Sequence, residues 1–261
     1  MPHAPKPPAP IRIGVGGWAF APWRHHFYPE GLPQQQELAW ASRQLSSIEV
    51  NGTFYSGFKP ATFAKWRDDT PDDFVFALKA IRYATQRKAL ATAGESIRRF
   101  VESGISELGP KLGPLLWQLA PFKHFDAEDF EAFLALLPPK VDGLVLRHVL
   151  DLRHASFDVP ECFALLRRYG CTAVCSDSAK YPKITDAGGP LAYLRLMRAE
   201  ADCPTGYAPA ALDAWAQGAR DWASGSGTCA GQSPRDVFVY FINGAKEQAP
   251  AAALALLERL K

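Results

Sequence analysis

The sequence predicts an α/β fold of the (β/α)8 or TIM-barrel type, in an irregular form with its sixth helix reduced. Three observations point to it. Eight short apolar runs are spread along 261 residues. Most of them are continuously apolar, as strands covered on both faces are. The stretches between them often carry a helix-period apolar stripe, which suits helices lying on a sheet. Eight strands, mostly followed by helices, in about 250 residues fit a closed barrel. A doubly wound open sheet is the rival, but it uses fewer strands per core and usually announces a phosphate loop.

The predicted strands, in order, are Ile11–Val15, Ser47–Val50, Phe74–Leu78, Leu115–Leu119, Val149–Leu152, Thr172–Cys175, Leu191–Leu196 and Val237–Ile242. Between them, Leu38, Ala41 and Leu45 share one helical face. Ile97, Phe100, Val101, Ile105 and Leu108 share another. Phe130, Phe133, Leu134 and Leu137 repeat the pattern, as do Cys162, Leu165, Leu166 and Tyr169. Leu212, Trp215, Ala216 and Ala219 follow, and Leu254, Leu257 and Leu260 mark the last helix. Asp126 is placed to cap a helix, with Asp129 three residues on. Ser178–Gly189 has no apolar period and carries Pro182, Gly188 and Gly189, so that crossover lacks a full helix. Ala223–Asp236 is rich in Gly and Ser and reads as a loop.

Composition excludes several classes. Apolar residues make 48% and charged residues 21%, enough to bury a core and too ordered for a disordered chain. The net charge of +2 advertises neither nucleic acid nor a membrane surface. No apolar run approaches the ~18 residues of a membrane span. Five cysteines without paired spacing argue for a reducing compartment, and Cys171 and Cys175 have no second ligand pair for zinc. Residues 1–10 hold five prolines and read as a disordered, extended tail without the features of a signal peptide. The expectation is a cytoplasmic, bacterial-type protein with a single barrel domain over 11–261.

Gly14-Val15-Gly16-Gly17-Trp18-Ala19 matches a dinucleotide-binding pattern after a strand. That pattern needs a helix N-terminus directly after the turn, to aim amide groups at pyrophosphate. Here Pro22, Pro29 and Pro33 follow, and a helix begins only near Gln34. The pattern therefore reads as a tight strand-end turn.

In a barrel, chemistry sits where strands end. Glu49 and Asn51 lie two apart at the end of the second strand and point the same way. Asp151 and Arg153 do so on the fifth, with His154 next. Lys79 and Arg82 follow the third strand. Gln118 lies late in the fourth, Asp177 just past the sixth, Arg195 late in the seventh, and Asn243 and Lys246 after the eighth. Taken singly, each has a bland reading: Glu49 pairing with Lys79, His154 capping a backbone group, Asn243 bonding its own turn. Together they place polar groups at nearly every strand end, costly unless they bond each other, water or a ligand. Trp18, Trp23, Phe27 and Tyr28, with Phe54 and Tyr55, form either a stacking wall for a ring or packing over the barrel mouth.

These motifs, in this order, resemble the domain-of-unknown-function 72 family (YecE-like proteins). The resemblance rests on Ile13-Gly14 through Trp18, Phe27-Tyr28-Pro29, Ile48-Glu49-Val50-Asn51 through Tyr55, and Phe74 through Lys79 with Arg82. It continues in Leu112 through Leu119, Leu152-Arg153-His154-Ala155-Ser156-Phe157, Ser176-Asp177-Ser178, Tyr193-Leu194-Arg195-Leu196 and Val239-Tyr240-Phe241. It implies a TIM barrel with a site at its C-terminal rim and no established reaction. The chain departs from the family pattern where Gln86, Met197 and Gln248 replace expected histidines. Gly52 replaces a serine, and Phe241-Ile242-Asn243-Gly244 replaces a Phe-Asn-Asn-Asp run. Proton transfer or metal binding through those imidazoles is not assumed here.

Three functions compete. The first is an enzyme on an anionic ligand, a hydrolase of a phosphate ester or nucleotide. Glu49, Asp177 and His154 would be catalytic. Trp18, Asn51, Tyr55, Lys79, Arg82, Gln118, Asp151, Arg153, Arg195 and Asn243 would bind substrate. The second is a degenerate barrel that binds a ligand without turnover. The third is weak nucleic-acid binding through a rim of Arg24, His25, Arg82, Arg87, Lys88, Arg98 and Arg99. A glycosidase is set aside, because Gln118 and Arg195 stand where paired carboxylates would be expected. No cofactor or metal set is specified, and the oligomeric state is left open.

Overall fold

The computed structural model describes residues 7–184, 188–227 and 233–261. Residues 1–6 of the tail, Cys229, and parts of the 178–189 and 223–236 loops lie outside the described residues. The strands are β1 (Ile11–Gly16), β2 (Ser47–Val50), β3 (Val75–Lys79), β4 (Leu112–Gln118), β5 (Lys140–Val141), β6 (Leu144–Val145), β7 (His148–Asp151), β8 (Thr172–Ala173), β9 (Cys175–Asp177), β10 (Ala192–Leu196) and β11 (Val237–Phe241). Nine of them form one parallel sheet in the order β8-β7-β4-β3-β2-β1-β11-β10-β9. Its two ends, β8 and β9, are consecutive in the chain. β8 pairs with β7 and β9 with β10, while the intervening Val174 amide donates to the Leu150 carbonyl at 2.9 Å. The predicted sixth strand therefore switches partners halfway, and the sheet wraps into a nearly closed barrel.

The helices are α1 (Glu37–Gln44), α2 (Pro60–Asp69), α3 (Arg82–Thr85), α4 (Gly94–Val101), α5 (Ala127–Ala135), α6 (Pro160–Arg168), α7 (Pro209–Ser224) and α8 (Ala249–Leu260). Among the described residues no helix lies between β9 and β10, as the sequence predicts. Asp126 caps α5 by accepting from the Asp129 amide at 2.9 Å. The loop after β1 holds only a short 3-10 turn at Ala21–His25 before the chain reaches α1. No helix N-terminus faces the glycines. Gly14 is instead required by close approach: a side chain there would lie 1.9 Å from the Ser47 carbonyl oxygen.

Two elements escape the apolar-period reading. α2 buries only Phe63 and Trp66, too few for a stripe. Its last carbonyls are capped from outside by Lys111, whose ammonium donates to the carbonyls of Arg67 (2.6 Å) and Thr70 (2.7 Å). β5 and β6 make a small antiparallel hairpin joined by Asp142 and Gly143, both with positive φ, as a two-residue primed turn needs. The stripe from Ile97 to Leu108 is real but not one helix. The chain turns at Gly104 (φ +98°) and continues as a 3-10 segment.

Strand alternation sorts the core into two layers. Ile13, Val15, Ile48, Phe76, Leu115, Trp117 and Leu150 pack outward under the helices. Val75, Ala77, Leu116, Val149, Tyr193, Phe238 and Tyr240 fill the barrel itself. The expected aromatic wall after β1 is mostly packing: Trp23, Phe27 and Tyr28 are buried against one another and Trp40.

His148 illustrates how tightly the outer layer is specified. The indole of Trp117 can only donate, and it does so to Nδ1 of His148 at 3.0 Å. Nε2 therefore carries the proton and donates to the Pro138 carbonyl at 2.8 Å. Burial pushes this imidazole down to about 4. The unfolded chain takes up a proton near pH 6.5 that the native site refuses, so stability is lost as pH falls from about 6.5 toward 4. His148→Asn is expected to remove about 3 kcal/mol of this acid-side loss, read from urea unfolding at about pH 7 and about pH 4. An unchanged difference between the two pH values would sink the assignment.

Candidate functional site

At the C-terminal end of the barrel interior, strand alternation brings five polar side chains into one layer. Glu49 comes from β2, Gln118 from β4, Asp151 from β7, Ser176 from β9 and Arg195 from β10. Arg195 is the hub and only 2% exposed. Its Nε and Nη2 donate to the two oxygens of Glu49 at 3.1 and 3.0 Å, a forked pair. Its Nη1 donates to Asp151 at 2.7 Å and to Gln118 at 3.2 Å. Glu49 also accepts from the Tyr193 hydroxyl (2.7 Å) and from Asn51 (3.1 Å). Asp151 also accepts from Ser176 (3.3 Å) and from Nε of Arg153 (2.9 Å). Burial opposes the guanidinium's charge, but Glu49 and then Asp151 outweigh it and hold Arg195 above its usual range. Burial, reinforced by Glu49, holds the Tyr193 phenol far up and therefore protonated.

One layer above, toward the mouth, sit Lys79 and Arg153. Lys79 ends β3 and is 6% exposed. Its ammonium lies 3.9 Å from the centre of the Phe54 ring. Among the described residues no oxygen accepts a hydrogen bond from it. Burial, then repulsion from Arg195, pulls Lys79 down to about 8, although Glu49 works the other way. Arg153 lies over the Tyr181 ring at 4.2 Å, and only its Nε is bonded among the described residues. The mouth thus gathers two cations, Lys79 and Arg153, above a layer in which Arg195 already engages both carboxylates.

The other candidates lie apart from this cluster. Asp177 meets the Tyr207 hydroxyl (3.4 Å) and Arg198 (3.8 Å). His154 caps the turn Ala155–Phe157, accepting from the Ser156 amide at 3.2 Å, and lies tilted against His124 with 3.9 Å between ring centres. Arg82 is exposed over the Tyr83 ring at 5.3 Å, and Tyr55 is 63% exposed. Trp18 packs on Trp66 at 5.2 Å. Asn243 is exposed, its side-chain amide donating weakly to the Met197 sulfur at 3.9 Å. Sequence reasoning missed Tyr193, Ser176 and Tyr181. Tyr193 and Ser176 carried a usable signal, since both point inward by the same two-residue alternation that singles out Arg195. Tyr181 lies in a loop and carried none. Among the described residues no three His, Cys, Asp or Glu side chains converge to hold a metal ion, and no helix is long and apolar enough to cross a membrane.

The model of the family described as protein of unknown function DUF72 matches residues 12–261. The chain belongs to this family. The UPF0759 protein YecE of Escherichia coli K12 is 29% identical over 140 residues, which is 53% of this chain and 48% of that protein. The chain thus matches about half the length of that relative. Among solved structures, a DUF72 family protein from Thermotoga maritima superposes with a TM-score of 0.75 at 23% identity, over 96% of this chain and 99% of that one. SacUVDE shares the fold with a TM-score of 0.56 at 9% identity, over 96% and 98% of the two chains. Of the residues standing where the resemblance implies histidine, Gln86 is exposed, and Gln248 is half-buried and donates to the Ala201 carbonyl at 3.4 Å. Met197 is different: it is buried in the barrel interior, two residues beyond Arg195.

Removing the hub charge leaves Glu49 and Asp151 buried without their counter-ion. Arg195→Met is expected to cost about 3–5 kcal/mol at neutral pH. Denaturant unfolding at about pH 7 checks this, and a loss below about 1 kcal/mol would contradict it.

Proposed function

We propose that this DUF72 barrel binds a small phosphate-bearing anion at its C-terminal rim, held by Lys79 and Arg153. The observation that carries the proposal is Lys79: a lysine only 6% exposed, its ammonium without an oxygen partner among the described residues, above an ion network whose acceptors are already filled. A desolvated cation without a counter-ion is costly, and a bound anion relieves that cost. Arg153 adds two unbonded terminal nitrogens beside it, in the forked geometry that suits phosphate. Glu49 and Asp151 act as the counter-ions that position Arg195. Four donors already surround Glu49, which supports a binding role for this layer over one in which Glu49 takes a proton from water.

Calorimetric titration with inorganic phosphate and with sulfate at low salt tests this. Lys79→Met and Arg153→Ala are each expected to weaken binding by about tenfold or more. The pH dependence has a definite sign. Only the protonated amine attracts an anion, so affinity falls as pH rises through about 8. Sulfate keeps a constant charge across that range and isolates the lysine. Lys79→Met abolishes the effect, whereas Lys79→Arg retains binding and moves the loss to higher pH. Affinity indifferent to both substitutions at the mouth would overturn the assignment.

A further inference from the structure

A cavity of about 530 Å³ opens beside the mouth, between the segment after β2, the start of α3, and α4. It shares a wall with the cation site: Thr53 lines it, and the Thr53 hydroxyl donates to the Lys79 carbonyl at 2.7 Å. Phe54, which carries the Lys79 ammonium on its face, touches the ring of Tyr55 at 5.1 Å between centres.

The lining has two characters. Its buried part is apolar, from Phe63 and Phe100. Its exposed part carries two phenols, Tyr55 at 63% and Tyr83 at 56% exposure, together with Arg99. Two exposed aromatic rings on the rim of one cavity make a patch of the kind that marks a binding site, Arg82 lying over the Tyr83 ring. The two arginines of the cavity differ in kind. Arg87 is tied down, its Nε donating to the Tyr83 carbonyl at 2.8 Å and its terminal nitrogens to Thr92 and Ser96. It therefore fixes the backbone that presents Tyr83. Arg99 is exposed and has no hydrogen bond or ion pair among the described residues, although its neighbour Arg98 pairs with Glu102 at 4.0 Å.

We propose that this cavity is a second binding site, for a planar ring that carries a phosphate, which is the chemistry of a nucleotide. The ring stacks on Tyr55 or Tyr83, and Arg99 meets the phosphate. Volume, apolar depth, exposed aromatic walls and an unpartnered cation agree on such a ligand. A purely apolar occupant would leave Arg99 unused, and a bare anion would leave both tyrosines unused. The site is separate from the Lys79–Arg153 pair and does not depend on it.

The test is titration of the full chain with adenosine 5′-monophosphate, ribose 5-phosphate and a short oligothymidylate. The mononucleotide is expected to bind about tenfold more tightly than the sugar phosphate, because base–aromatic stacking supplies a factor of that order. Tyr55→Ala or Tyr83→Ala weakens the mononucleotide about tenfold and leaves ribose 5-phosphate unchanged, while the matching Phe variant keeps full affinity. Arg99→Gln weakens binding and flattens its salt dependence. All three side chains are exposed, so the variants fold. Oligothymidylate bound without the mononucleotide also supports the site and makes a nucleic-acid strand the source of the ring and phosphate. Equal affinity for mononucleotide and sugar phosphate, or mononucleotide binding untouched by both alanine substitutions, overturns it. Mononucleotide binding that is sensitive at Tyr55 or Tyr83 and indifferent to Lys79 and Arg153 is the result expected of a separate site, while the rim reading stands or falls on the phosphate and sulfate titration.

Discussion

A guanidinium sealed inside a barrel is tolerable only if its donors are met and its charge is balanced, and Arg195 imposes that demand on the rest of the interior. Desolvation alone would cost several kcal/mol. Two carboxylates on separate strands answer it, one from β2 and one from β7, and both are driven to the same height along the axis. Residues far apart in the chain are thereby tied across the barrel, which holds the register of strands that would otherwise be joined only through their neighbours. The aromatic layer below completes the arrangement, because the Tyr193 phenol is spent on Glu49 and the Tyr240 phenol on Ser47.

That balance sets the polarity of the mouth. Glu49 and Asp151 have little capacity left once Arg195, Tyr193, Asn51, Ser176 and Arg153 have donated to them. Lys79, one layer up, therefore meets the network as a like charge, and its nearest compensation is a ring face. Burial and repulsion act in the same direction on its amine, which is why its titration moves toward neutrality. The same geometry that stabilises the hub prepares an unbalanced cation at the opening.

Much of this was legible in the residues. Strand ends could be read because a barrel turns the two-residue alternation into a ring of inward side chains. Glu49, Gln118, Asp151, Arg153 and Arg195 meet for that reason. What could not be read has physical causes. α2 is held by Lys111 and two aromatics, with no stripe to announce it. The sixth strand divides because its halves face different neighbours, which no local pattern encodes. The 140–145 hairpin did carry a signal, Asp-Gly between short apolar runs, hidden because each strand has only two residues. Asp177 ends β9 facing opposite to the inward Ser176, while His154 and Arg82 lie past their strands and answer to local caps and contacts that no alternation fixes.

The positions where the family resemblance implies histidine bear on the chemistry of the mouth. Met197 lies two residues beyond Arg195 on the inward face, where the family pattern leads one to expect an imidazole. A thioether there neither titrates near neutral pH nor donates a hydrogen bond. The nearest histidine pair, His124 and His154, belongs to the loops and is occupied with a turn and with itself. The groups left in the inward layers at the opening are thus two cations, a filled acceptor network and apolar packing. On the proposed reading, an anion at this opening is held by charge, and among the described inward groups Lys79 is the candidate proton donor. Among the described inward groups at the opening, Lys79 is the one drawn down to about 8, so the proposed anion contact and a titrating proton share the same nitrogen.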